Sequence, residues 1–116
     1  MRVMGHIEFL DMPEGTVFSY GPSYTCFDSG LLIKSESIKS GEHWGFWALD
    51  PCWVDADDSG QAFDRLHLMS ISDASFPMEE ATGKYMDYDL DENPVFLVFE
   101  DKDLERLRKI MGNGGW

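Results

Sequence analysis

The string Asp55-Ala56-Asp57-Asp58-Ser59-Gly60 sets oxygen-bearing side chains at positions one, three and five and a glycine at position six, the opening of a calcium loop. The twelfth position of such a loop supplies a bidentate carboxylate, and here it is Leu66. An acid at a helix start accepts amide hydrogens and meets the positive end of the dipole, so capping by Asp57 or Asp58 accounts for the same letters. Asp87-Tyr88-Asp89-Leu90-Asp91-Glu92 gathers four more carboxylates, with an acid where the glycine belongs and no distal glutamate. Both strings read as anionic surface, and the expectation is no metal and no other cofactor.

Nucleophilic chemistry finds no support. His6, His43 and His67 have no two-histidine metal spacing and no serine elbow nearby, and Cys26 and Cys52 sit in no thiol-activating signature. Gly112-Asn113-Gly114-Gly115 follows a helical pattern where a phosphate-cradling loop would precede one. A non-enzymatic protein is expected. Trp44, Phe46, Trp47 and Trp53 fall within ten positions, near Lys34, Lys39 and His43. Aromatic faces beside cations can stack a base and hold its phosphate. That set is the basis of an alternative ligand-binding reading, a nucleotide pocket built from Lys34, Lys39, His43, Trp44 and Trp47.

The elements that must position these residues follow from periodicity. Residues 7–11 read as a helical turn stopped by Pro13. Strands are expected near 16–20, 30–35 and 43–49, a meander with short connections, and near 95–99. In the third, the pleat sets Trp44 and Phe46 on one face and His43, Trp47 and Leu49 on the other. The five-residue apolar run Val95–Phe99 reads as a central strand buried on both sides. Helices are expected near 59–70, with Phe63, Leu66 and Met69 on the inner face, and near 101–111. The second is capped by Asp101, has Leu104, Leu107 and Ile110 as its stripe and ends at Gly112. Residues 79–94 show little periodicity. The fold class is α+β: an antiparallel sheet of about four strands with two packed helices, one domain over 1–116 with a flexible tail at about 112–116.

Charge is the strongest compositional signal. The chain of 116 residues carries a net −13, and residues 50–105 hold sixteen acids against Arg65, Lys84 and Lys102. A field of that sign repels phosphates, excluding direct nucleic-acid binding and anionic membranes for that surface, and attracts basic protein grooves. No apolar run approaches the roughly 20 residues of a spanning helix. The opening residues lack the pattern of a secretory signal.

Several segments together resemble a family of small acidic proteins encoded by tailed bacteriophages and prophages. They are Met12-Pro13-Glu14-Gly15-Thr16-Val17-Phe18, Leu32-Ile33-Lys34, Phe46-Trp47, residues 55–60, Ala74-Ser75-Phe76-Pro77-Met78 and residues 95–101. The resemblance spans about residues 7 to 110 and departs at 79–94, which is more acidic here, and at Tyr24–Phe27. It implies a phage genome and a host cytoplasm, with no defined activity. Charge and resemblance together suggest an inhibitor of a bacterial defence system, anti-CRISPR-like, that blocks a basic nucleic-acid groove. The expected contact residues are Asp87, Asp89, Asp91 and Glu92, seconded by Asp55, Asp57 and Asp58. The alternatives are a sponge for a nucleotide second messenger and a minor virion or assembly protein, and homo-oligomers are compatible with each.

Overall fold

The chain opens with β1 (Arg2–Gly5) and α1 (His6–Leu10), followed by β2 (Val17–Gly21), β3 (Leu32–Ser40) and β4 (His43–Leu49). It continues through α2 (Ser59–Ile71), β5 (Lys84–Asp89), β6 (Val95–Val98) and α3 (Asp101–Asn113). The computed structural model describes residues 1–80, 83–89 and 92–114. The strands form one antiparallel sheet in the order β1-β6-β2-β3-β4-β5. The α+β class and the central meander agree with the sequence. The sheet has six strands and not four, because β1 and β5 extend it at its two edges.

One face of the sheet carries the core. Phe18, Phe46 and Phe96 converge on Phe9 of α1, which stacks on Phe96 at 4.1 Å with planes 5° apart and meets Phe46 edge-on at 5.0 Å. Met4, Leu10, Leu32, Ala48, Met86 and Val98 complete the buried cluster. A helix of five residues covers so many strands because each of its inward side chains is large. It is anchored where the Ser37 hydroxyl donates to the Leu10 carbonyl at 2.7 Å.

The reading of β6 as buried on both sides is corrected. Phe96 and Val98 are buried, while Val95 and Leu97 on the alternate face are only half-buried. A continuous apolar run thus marks a strand with one covered face here.

The two long helices are peripheral. In α2, Ala62, Leu66 and Met69 turn inward, and Phe63, expected on that face, is 63% exposed. Ala62 and Val54 are buried outside the main core cluster. The Arg65 guanidinium lies over Phe76 at 4.9 Å, and His67 is exposed. In α3, Leu104, Leu107 and Ile110 are half-buried, so the expected buried stripe is only partly seated. Glu100, and not Asp101, caps α3, in a reciprocal box with Asp103. The N-terminal ammonium of Met1 reaches both acids, at 3.2 and 2.9 Å. Residues 112 and 113, expected in a flexible tail, belong to α3, which ends at Gly114 in the left-handed conformation (φ 67°). The radius of gyration of 16.1 Å exceeds the roughly 13 Å of a tightly stacked chain of this length, as peripheral helices require.

Candidate partner-binding face

A pleated strand sends alternate side chains to opposite faces, so the register sorts every strand residue. Met4, Phe18, Leu32, Phe46, Met86 and Phe96 point to the face under α1. Val3, Leu97, Ile33, Leu49, Trp47 and Tyr85 point away from it. Among the described side chains of this second face none is buried, and Val3 and Tyr85 are 52% and 38% exposed. Among the described residues this is the less covered face, as in antiparallel sheets that pack one face on the core and leave the other towards solvent. Trp47 and Tyr85, paired on adjacent strands, have ring centroids 5.1 Å apart at 45°.

Charge is segregated between the same two faces. By register, Arg2, Lys34, Lys39 and Lys84 all belong to the covered face, opposite Val98, Ala48, Trp44 and again Ala48. Several are committed there. Arg2 donates to Glu8 at 3.1 Å, and Lys39 pairs with Asp11. Lys34 is only 3% exposed, its Nζ donating to the Ser35 carbonyl at 3.0 Å, and burial holds its ammonium below the usual lysine range. Lys84 lines a shallow cleft with Asp50, Trp53 and Glu79. Among the described residues, the strand positions of the uncovered face include no lysine or arginine. Asp87 lies there, its carboxylate 3.7 Å from Nδ1 of His43.

The predicted acidic residues do not form one patch. β5 runs antiparallel to β4, so Asp87 and Asp89 lie towards the His43 end, whereas Asp55, Asp57 and Asp58 follow the Leu49 end. Glu92 lines a cleft of about 380 Å³ with Tyr20, Asp28 and Tyr88. Burial pushes the Tyr88 hydroxyl well above the usual phenol range. Asp91 lies outside the described residues. The acids at α2 have structural duties: Asp58 accepts from the Gln61 amide at 2.7 Å, and the Asp57 amide donates to the Gln61 side chain at 2.7 Å. The Asp55 carbonyl accepts from Arg65, and its carboxylate accepts from the Glu80 amide at 3.1 Å.

The five residues of the nucleotide reading are divided. Lys34, Lys39 and Trp44 belong to the covered face, with the Trp44 indole N–H donating to the Gly41 carbonyl at 3.2 Å, and His43 and Trp47 belong to the other. Tyr85 and Val3, both prominent on the uncovered face, were not among the predicted site residues. The alternation Lys84, Met86, Tyr88 against Tyr85, Asp87, Asp89 carried the signal for Tyr85. Among the described residues, no group of three or more His, Cys, Asp or Glu is placed to hold a metal ion. No helix among the described residues is long and apolar enough to cross a membrane. No protein-family model matches the chain, and no curated protein or solved structure matches it.

Proposed function

We propose that this protein is a non-catalytic inhibitor whose anionic, uncovered sheet face docks on a basic groove of a partner protein. The supporting observation is the segregation of charge, with all four strand cations on the covered face and Asp87 on the other. Such an arrangement steers a positive surface to one side of the molecule and repels nucleic acid from that side. Taken with the resemblance of its segments to phage-encoded proteins, the proposed partner is a host defence complex whose groove normally holds nucleic acid, an anti-CRISPR type of inhibition in the host cytoplasm.

The test is plaque formation by a targeted phage on a panel of CRISPR-immune strains expressing the protein. In a susceptible strain the parent chain raises plaquing by orders of magnitude. The variant Asp87→Lys, which reverses the charge on the uncovered face, loses at least tenfold of that rescue. A folded Asp87→Lys variant that rescues as well as the parent overturns the electrostatic reading, and no rescue in any strain overturns the anti-defence reading.

A further inference from the structure

Resting on that docking reading, we infer that the uncovered face is the seat of a cationic amphipathic α-helix of the partner. Its apolar side would lie on the sheet and its lysines and arginines over the Asp87 edge.

The first argument is continuity. Val3 is paired with Leu97, Val17 with Ile33, Ile33 with Leu49, and Trp47 with Tyr85, so every strand from β1 to β5 places an apolar side chain on this face, with Ser19 opposite Leu97 on β2. With Val3 and Tyr85 exposed and Leu97, Ile33, Leu49 and Trp47 half-buried, this apolar face on a chain with net charge −13 marks an interaction site more than a solubility compromise.

The second is shape. A partner strand would add to a sheet edge, through backbone hydrogen bonds, whereas a face is covered by a layer. Six strands at about 4.8 Å spacing make a band roughly 24 Å across. A helix rising 1.5 Å per residue crosses that in about 16 residues, four to five turns, presenting an apolar stripe to the whole band.

The third is charge. The strand positions of this face offer no lysine or arginine among the described residues, and Asp87 stands beside Tyr85 at its margin. A second copy would set Asp87 and the net −13 against themselves, whereas a helix flanked by lysine and arginine meets them with the opposite sign. An anionic lipid surface is repelled for the same reason.

The probe is an 18-residue amphipathic helical peptide of leucine and lysine, with a leucine–glutamate peptide of the same pattern as control. Each is titrated into the full-length, isotope-labelled chain and followed by amide and indole NMR. The leucine–lysine peptide is expected to bind at least tenfold more tightly, with shifts centred on Val3, Trp47, Tyr85 and Leu97. Val3→Asn and Tyr85→Ser alter side chains already exposed, so they are chosen to keep the fold. Each is expected to weaken binding about tenfold and to reduce inhibition in the plaque assay. Equal binding of both peptides, shifts centred on α2 or the core face, or sedimentation as a dimer with this face protected would each overturn the inference. If charge reversal abolishes inhibition while Val3→Asn and Tyr85→Ser leave it intact, the helix inference fails and the docking reading stands. If none of the variants matters, both fail.

Discussion

Lys34 and Lys39 occupy the same face of β3 although they are five positions apart, a spacing that in a regular strand would send them to opposite faces. The register shift between Lys34 and Ser37 supplies the phase change: Lys34 stands opposite Ala48 and Lys39 opposite Trp44. A bulge of this kind re-aims every side chain beyond it. Without it Lys39 would stand on the face of Trp47 and Tyr85, close to Asp87, and the charge separation of the sheet would be lost.

The aromatic core depends on one helix residue. Phe9 is fully buried and touches Phe18, Phe46 and Phe96. Phe9→Ala is expected to cost about 4 kcal/mol, from lost transfer energy and the cavity left behind, read as a lowered urea midpoint. A loss below 1 kcal/mol would mean that α1 does not close the core.

Gly45 sets the contact between β4 and β5. A Cβ there would fall 2.3 Å from the Met86 carbonyl oxygen and 2.9 Å from both the Asp87 Cα and the Tyr85 hydroxyl. Gly45→Ala is therefore expected to destabilise the fold by about 2 kcal/mol. Amide exchange should accelerate along Lys84–Asp89 more than along β2. Unchanged exchange in β5 would contradict this placement.

His6 makes stability depend on pH. It is 4% exposed, and its ring lies 4.9 Å from that of Tyr88. Burial holds its imidazole below the ordinary value of 6.5, so the unfolded chain takes up the proton first. Its contribution is complete above about pH 6.5 and is lost as pH falls towards the folded-state pKa. Between pH 7.5 and 5.5 the parent chain is expected to lose more stability than His6→Phe, measured by urea unfolding at both pH values. Parallel losses would show that His6 does not report burial.

Asp58 caps α2, its side chain accepting from the Gln61 amide. Asp58→Ala should lower stability by about 1 kcal/mol, by the same amount in millimolar calcium and in chelator. A calcium-dependent rise in melting temperature that Asp58→Ala or Asp55→Ala abolishes would contradict the assignment.

Local patterns made much of the fold legible. The apolar alternation of β2 and β4, the run at β6 and the Asp58…Gln61 cap each carry their own structural signature. β1 carried none, because its four residues pair with β6 ninety or more positions away and nothing in Arg2–Gly5 announces it. β5 was masked by its acids, although Met86 and Tyr88 keep the period of two beneath them. The inner face of α2 was misjudged at Phe63 because periodicity gives a stripe and only tertiary contact fixes its centre. The site was less legible than the fold. Asp87 and Trp47 were identified separately, but their common face, and the exile of the cations from it, exist only once register and bulge are known.

The most direct test of the central claim compares two equal charge reversals in the plaque assay, Asp87→Lys on the uncovered face and Asp73→Lys beyond the end of α2. Each changes the net charge identically, so a general effect of acidity moves both alike. The account predicts at least a tenfold loss of rescue for Asp87→Lys and less than a twofold change for Asp73→Lys, with both variants folded. Equal losses, or none at Asp87, would contradict it.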